Sequence, residues 1–278
     1  MLIPSPDNMS NRIDNTFERL KNDSQTAFVA YVCAGDPDYA HSLKVIREIA
    51  DNGADIIELG VPFSDPQADG IVNQLAAERA LNSGMSVTQL MEMIREFRST
   101  HDTALVLFTY LNPVYAYGYE KFHTDAATAG ADGILLLDLP PDEIANNQEL
   151  AKSEGLKHIT LISPSTPPER IKMLAEQSEG FIYALSRMGV TGAQAAPSDT
   201  IGELVQSIKK HTTTPVCIGF GINTPEQAAT VAQVSDGVVV GSAIVNQVAE
   251  NASEPTLATR VGQFVQPLIH ATKNPDQV

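Results

Sequence analysis

Eight short apolar segments alternate with helical patterns along the chain, and this alternation constrains the fold more than any other feature. Between the first two segments, Leu43 and Ile46 recur at helical spacing. Strand–helix alternation is typical of a parallel sheet, and eight such units in 278 residues favour a closed barrel over an open sheet. The predicted strands are 27–34, 55–59, 104–109, 133–137, 158–162, 181–185, 215–218 and 237–240.

The sequence therefore predicts an α/β chain that forms a (β/α)8 TIM barrel. An additional N-terminal helix is predicted at 9–22, where Ile13 and Leu20 are helically spaced. No low-complexity linker divides residues 1–278, so we expect one domain. The polar residues 273–278 are expected to form a frayed tail.

Charge and composition argue against several classes of partner. With 18 basic and 34 acidic residues the net charge is −16, whereas nucleic acids and anionic membranes attract basic surfaces. No apolar run reaches the length of a membrane span, and Met1–Asn8 lacks the pattern of a signal peptide. Cys33 and Cys217 lie in apolar strand-like segments and are expected to be buried thiols. We expect a cytoplasmic protein.

An acidic residue interrupts the second predicted strand. Glu58 follows two isoleucines, and Asp65 and Asp69 lie on the Gly- and Pro-rich loop that comes next. Two carboxyl groups in different environments can provide an acid–base group and a permanently ionised group in one site. The alternative is that Glu58 is exposed at a strand end and the aspartates cap a turn. No histidine lies at metal-ligand spacing from other ligands, so no metal site is predicted.

Glycines follow the last three predicted strands. They occur in Gly189–Gly192, in Gly219-Phe220-Gly221 and in Gly241-Ser242. Glycine lets backbone N–H groups approach an anion, and the seventh and eighth strands are where this fold commonly binds phosphate. The pattern favours a phosphate site, although the glycines could also serve only to form tight turns.

Specific motifs add a family resemblance over nearly the whole chain. The motifs are ELGVPFSDPQADG at 58–70, SRMGVTGA at 186–193, IGFGI at 218–222 and GSAIV at 241–245, supported by FVAYVCAGDP at 28–37 and TYLNP at 109–113. By these motifs the chain resembles the tryptophan synthase alpha chain family, which cleaves indole-3-glycerol phosphate to indole and glyceraldehyde 3-phosphate in tryptophan biosynthesis. The resemblance implies a carbon–carbon lyase on a barrel fold.

The resemblance also implies roles for individual residues. Glu58 matches the catalytic glutamate of the family and Asp69 its catalytic aspartate. Tyr183 matches a tyrosine near the reacting side chain, and Thr191 matches a threonine that contacts the aspartate loop when both loops close. The substrate-binding residues implied are Gly192, Gly221, Gly241 and Ser242 for phosphate and Phe28, Tyr31 and Phe220 for the indole pocket.

Two residues depart from the family pattern. Ile71 follows Asp69-Gly70 where proline is usual, and Gln67 is also unusual. Because proline fixes φ, its loss raises the question of how stiff the aspartate loop is.

The chemistry fits these residues. Cleavage is a retro-aldol step in which the indole C3 accepts a proton and the side-chain hydroxyl loses one. One buried carboxyl group with a raised pKa suits both transfers, and a fixed anion can stabilise the positive charge that develops at the indole N–H. No cofactor is expected in this chain.

The resemblance implies a partner as well. The family works with a pyridoxal-phosphate-dependent beta subunit in an alpha2beta2 complex, and the loops 62–65, 110–113 and 138–141 are the expected docking surface. Two alternatives remain open from sequence. The chain could be another phosphosugar-processing barrel enzyme, an isomerase or synthase, or a non-catalytic activator of a partner enzyme.

Overall fold

The computed structural model describes residues 11–186, 198–219 and 221–278. In these ranges one parallel sheet runs in the order β5-β4-β3-β2-β1-β9-β8-β7-β6. The strands are β1 Ala27–Cys33, β2 Ile56–Gly60, β3 Ala104–Thr109, β4 Gly133–Leu136, β5 Lys157–His158, β6 Thr160–Ile162, β7 Ile182–Leu185, β8 Val216–Gly219 and β9 Gly237–Val240.

Helices cover the outside of this sheet and one end of it. They are α1 Arg12–Asn22, α2 Tyr39–Asp51, α3 Ile71–Asn82, α4 Val87–Arg98, α5 Leu111–Tyr117, α6 Tyr119–Ala129, α7 Ile144–Ser153, α8 Pro168–Glu176, α9 Ser198–Lys209, α10 Pro225–Ala232, α11 Ser242–Glu250 and α12 Leu257–Lys273. None of the helices in the described ranges is long and apolar enough to cross a membrane.

The predicted (β/α)8 barrel is confirmed, with one difference at the fifth strand. Segments β5 and β6 occupy that position, and Ile159 lies between them. The Ile159 backbone N–H still donates to the Ile134 carbonyl at 2.9 Å, which continues the ladder with β4. Beyond this bond, β6 pairs only with β7. The barrel wall therefore has a gap between the end of β4 and β6.

The predicted loop at 110–113 is wrong, because helix α5 begins at Leu111. The Asp138 carboxylate accepts a hydrogen bond from the Leu111 backbone N–H at 2.7 Å and so satisfies one free donor of the first turn. Pro113 is tolerated there because the N–H groups of a first turn have no intrahelical partner.

Proline lies at the start of α8 and near the end of the chain. Pro167 is the capping residue of α8, and the Thr166 hydroxyl accepts a bond from the Ser163 backbone N–H at 3.1 Å. The tail predicted to fray continues as helix to Lys273 and then forms a 3-10 turn at Pro275–Gln277. Proline at the first position of this turn has a φ suited to it.

Two apolar layers form the core. Val29, Ile56 and Val106 point into the barrel, where Ile13 of α1 closes the end at which the strands begin. The larger layer lies between the strands and the surrounding helices. Both cysteines are buried free thiols, as predicted.

Three aspartates, each directly preceding a strand, fasten that strand to its neighbour. Each aspartate makes two hydrogen bonds with one residue of the neighbouring strand. Its carboxylate accepts from the backbone N–H of that residue, and its own backbone N–H donates to the carbonyl of the same residue. We call these pairs carboxylate clamps. They are Asp55 with Phe28, Asp132 with Leu105 and Asp236 with Val216, with carboxylate–amide distances of 3.0, 2.8 and 2.7 Å.

Candidate active site

Glu58 lies in the middle of β2, with Tyr31 of β1 and Val106 of β3 beside it in register. It shares the inward face of β2 with Ile56, because alternate residues of a strand point to the same side. The side chain is only 1% exposed, and its Oε1 atom has no hydrogen-bond partner in the described part of the chain. Burial raises the Glu58 pKa to about 8. Glu58 is therefore protonated at neutral pH and can donate a proton.

This burial should make stability depend on pH in a defined direction. Above its unfolded-state pKa of 4.5, Glu58 holds more protons in the folded state than in the unfolded state, until the folded pKa of about 8 is passed. The free energy of unfolding therefore falls by up to about 1.4 kcal/mol per pH unit in this window. We expect Glu58→Gln to be more stable relative to wild type at pH 8 than at pH 5, by a few kcal/mol.

Urea denaturation of both proteins across this pH range measures the difference. The Glu92→Gln variant is the control, because Glu92 is an exposed glutamate on α4. Parallel stability curves for wild type and Glu58→Gln would show that Glu58 is not a buried, unpaired acid.

Asp69 is held in place by hydrogen bonds on the loop after β2. The Tyr110 hydroxyl donates to Asp69 Oδ2 at 2.9 Å and accepts from the Ala68 backbone N–H at 2.9 Å. Gln74 donates to the Asp69 carbonyl at 2.8 Å. Burial raises the Asp69 pKa, and the hydrogen bonds from Tyr110 and Asn73 oppose that rise.

Tyr110 is a site residue that the sequence reasoning missed, because it was assigned only to the docking surface. It directly follows β3, the neighbour of β2, and its ring lies 5.4 Å from that of Phe63. Its position directly after a strand was the sequence signal that could have identified it as a site residue. With Tyr110 and Gln74 fixing the loop, α3 begins at Ile71 without the usual proline, and Gly70 is its capping residue.

Two tyrosines line the barrel interior beside Glu58. Tyr31 lies in register with Glu58 and makes an edge contact with Phe108, with ring centroids 5.1 Å apart. A Cβ at Gly60 would overlap the Tyr31 hydroxyl, and one at Gly219 would overlap that of Tyr183. Burial, followed by smaller effects that include the Glu58 charge, raises the pKa of both tyrosines. They remain neutral walls of the site.

The prediction that Phe28 lines the indole pocket is wrong. Phe28 is fully buried, but it lies an odd number of residues from Tyr31 and so points to the opposite face of β1. There it packs in the layer between strands and helices, together with Leu43 and Ile46 of α2. The sequence motif covered both faces of the strand, and only one of them borders the site.

The predicted phosphate residues lie at the ends of β8 and β9, as far as they are described. Gly241 caps α11, and Ser242, its first residue, is exposed. Gly221 adopts a φ of +77°, which glycine tolerates best. A helix N-terminus with free N–H groups suits an anion. The remaining predicted residues, Thr191, Gly192 and Phe220, lie outside the described residues.

The arrangement first defines a class of protein. Glu58 and Asp69 approach the same end of the barrel, with neutral aromatic walls and a helix N-terminus suited to an anion. In the described ranges no group of three or more His, Cys, Asp or Glu side chains could hold a metal ion. By its fold the chain is a (β/α)8 barrel, a class of protein whose active sites lie at the carboxyl ends of the strands. More particularly, it belongs to the tryptophan synthase alpha chain family, whose model matches residues 17–273.

Individual relatives agree with this assignment. The alpha chain of Desulfatibacillum aliphaticivorans is 44% identical over 261 residues, which cover 94% of this chain and 98% of the relative. That of Geobacter sulfurreducens is 45% identical over 263 residues, covering 95% and 99%.

Solved structures agree as well. The alpha subunit of Legionella pneumophila superposes with a TM-score of 0.88 at 35% identity, covering 97% of this chain and all of that one. An aminoacrylate-bound tryptophan synthase of Mycobacterium tuberculosis gives 0.84 at 32% identity, covering 95% of this chain and all of the matched chain.

Membership of this family establishes the reaction. The chain is a carbon–carbon lyase of tryptophan biosynthesis that cleaves indole-3-glycerol phosphate. The match selects this family over the alternative of a phosphosugar isomerase or synthase. Membership as an alpha chain also implies a tryptophan synthase complex with a beta subunit.

Proposed function

We propose that Glu58 is the acid–base catalyst of the cleavage and that Asp69 is the fixed anion that stabilises the reacting indole. One observation carries this proposal: Glu58 is an inward-facing, 1% exposed carboxyl group with an unpaired oxygen and a pKa of about 8. A general acid works best when its pKa lies near the working pH. The surrounding barrel wall excludes water from Glu58, which disfavours the charged carboxylate and raises the pKa.

The reaction proceeds through two proton transfers. Protonated Glu58 gives its proton to indole C3, and the ring becomes an iminium that can accept an electron pair. The resulting Glu58 carboxylate takes the proton of the side-chain hydroxyl. The carbon–carbon bond then breaks, its electron pair restores the indole ring, and the hydroxyl carbon becomes the aldehyde of glyceraldehyde 3-phosphate. Glu58 ends the cycle protonated.

Asp69 acts on the other side of the ring. Positive charge develops at the indole N–H when C3 is protonated, and a carboxylate held in advance stabilises it without reorganising during the reaction. Tyr110 provides that advance positioning through its bonds to Asp69 and Ala68. Asp69 must be ionised for this role, which the donors Tyr110 and Asn73 favour.

Substrate binding follows from the remaining residues of the site. Gly221, Gly241 and Ser242 hold the phosphate through backbone N–H groups and the N-terminus of α11. Local donors are needed because the whole chain carries a net charge of −16. Tyr31 and Tyr183 enclose the indole ring. Thr191, Gly192 and Phe220 complete this proposal on the grounds of the family resemblance.

The cleavage requires no cofactor from this chain, because the protonated ring is itself the electron sink. Pyridoxal phosphate belongs to the partner beta subunit, which uses the released indole. Two buried free thiols fit the reducing conditions of the cytoplasm, where we place the protein.

The beta subunit docks on the barrel face that carries the site, giving an alpha2beta2 complex. Large apolar side chains are exposed there: Ile71 is 65% and Leu75 45% exposed on α3, and Tyr115 is 56% exposed on α5. Exposed apolar groups mark interaction surfaces. Since α3 begins directly after Asp69-Gly70, docking on it acts on the catalytic loop.

We expect the isolated chain to release indole slowly and the beta subunit to accelerate it about tenfold or more, because contact with α3 further restrains the loop that Tyr110 and Gln74 hold. Coupling of binding is reciprocal, so a deoxy substrate analogue that lacks the side-chain hydroxyls should tighten the complex. Indole release and complex affinity, measured with and without partner and analogue, check both expectations. An isolated chain and a complex that both release no indole would instead indicate a non-catalytic activator.

A pair of exposed positions provides the matched control. Tyr115→Ser should weaken the complex, whereas Met173→Ser on α8, which is 37% exposed and lies outside the expected surface, should not. Equal affinities for both variants and wild type would contradict the docking surface.

A further inference from the structure

The gap in the barrel wall opens a cavity of about 340 Å³ between β4, β6, α7 and α8. None of its lining residues belongs to the catalytic site around Glu58 and Asp69. Pairing to β4 ends at Ile159, so the facing edges of β4 and β6 do not complete a ladder with each other. A cavity of this volume lies in the range of small-molecule sites.

Leucine and isoleucine side chains form one part of the lining of this cavity, which we call the wall cavity. Its walls come from both strands and both helices, so an apolar body of bicyclic size would be enclosed on several sides. The residues are Leu136, Leu139, Ile144, Leu161 and Leu174.

The mouth of the wall cavity carries a cation and hydroxyl groups. Arg170 is exposed, and in the described part of the chain its guanidinium has neither an ion pair nor a hydrogen bond. Ser163 Oγ lies 2.9 Å from Ser165 Oγ and 3.2 Å from Thr166 Oγ1. An arginine guanidinium can donate two parallel N–H hydrogen bonds to one carboxylate, and the hydroxyl groups of Ser163, Ser165 and Thr166 can donate further bonds.

A buried histidine also faces the wall cavity. His158 is 4% exposed, and Asn147 donates to its Nδ1 atom at 2.8 Å, which leaves the proton on Nε2. Within the described residues Nε2 has no hydrogen-bond partner. Asn147 is itself fixed by the Tyr119 hydroxyl at 2.6 Å and by His123 at 3.0 Å. This network fixes the neutral tautomer of His158, which borders the wall cavity.

We propose that the wall cavity binds a small monocarboxylate with an apolar, bicyclic-sized body. The body lies among the leucines, and the carboxylate meets Arg170 and the hydroxyl groups. A single arginine matches the one negative charge of a carboxylate, and the neighbouring hydroxyl groups can donate to the same group. The chain carries a net charge of −16 and as a whole repels anions, so a carboxylate would have to be attracted by the groups next to the wall cavity.

The probe for this proposal is 2-naphthoate, with neutral 2-naphthamide as its uncharged counterpart. The chain contains no tryptophan, so naphthalene fluorescence can be followed with little protein background. We expect saturable binding of naphthoate and weaker binding of the amide. Arg170→Gln should lower naphthoate affinity about tenfold and leave amide affinity unchanged. Arg95→Gln, at an exposed arginine on α4, is the matched control and should change neither.

Competition separates the wall cavity from the catalytic site. Saturating the wild-type chain with the deoxy substrate analogue should leave naphthoate binding intact, whereas Leu139→Phe, which fills the wall cavity, should reduce it. Absence of saturable binding, equal affinity in Arg170→Gln and wild type, or displacement of naphthoate by the analogue would each overturn the proposal.

Discussion

Glu58→Gln should remove cleavage almost completely while leaving substrate binding in place. The amide keeps the shape of the side chain but cannot give a proton to indole C3 or take one from the hydroxyl. General acid–base groups contribute about 10²–10⁴-fold, and a group that acts twice should lie at the upper end or beyond. Single-turnover indole release measures the loss, and titration with the deoxy analogue measures binding.

The wild-type pH profile provides a second readout of the same residue. Because the protonated acid starts the reaction, activity should fall as pH rises through about 8, the Glu58 pKa set by burial. Glu92→Gln, which removes an exposed carboxylate, should keep both the rate and the profile. If Glu58→Gln retains more than about a tenth of the wild-type rate, Glu58 is not the acid–base catalyst.

Asp69→Asn should cost about 10²–10³-fold in turnover, the loss seen when one preorganised stabilising group is removed. Asparagine keeps an oxygen that can accept from Tyr110, so that loop contact survives, while the charge and the longer contact with Asn73 are lost. The effect should fall on kcat more than on KM, because positive charge develops on the indole only during the reaction. Steady-state kinetics in the presence of the beta subunit check this split.

Tyr110→Phe distinguishes the charge of Asp69 from its positioning. This variant keeps the carboxylate but removes the bonds to Asp69 and Ala68, so we expect a smaller loss, about tenfold. Tyr117→Phe, which loses the hydroxyl's bonds to Asp125 and Lys121 away from the site, is the control and should be near wild type. An Asp69→Asn variant within tenfold of wild type would refute the role of the fixed anion.

The parts of this site that could be predicted are those encoded locally. A glutamate within an apolar strand is visible in sequence, as are glycines after the last strands and the alternation that closes the barrel. Tyr110 could not be assigned to Asp69 in this way. The two residues are 41 positions apart, and their contact depends on two neighbouring strands ending side by side.

The errors have equally specific causes. Phe28 and Tyr31 share a motif, but the register of β1 turns only Tyr31 towards Glu58, and a shift of one residue exchanges the faces of a strand. The break at Ile159 lies within an apolar run that predicts an unbroken strand. Helix α5 depends on a bond from Leu111 to Asp138, which is distant in sequence. Each miss reflects tertiary contacts that override a local pattern.

The carboxylate clamps bear on how the barrel is assembled from the unfolded chain. Each clamp joins two strands that are consecutive along the chain and adjacent in the sheet, across separations of 27, 27 and 20 residues. Closing such short loops costs little entropy compared with joining the chain ends. A shift of one residue in the register of the two strands would separate the carboxylate from the backbone N–H that it binds. Clamped strand pairs can therefore fix their own alignment early, and final closure joins segments that are already correctly aligned.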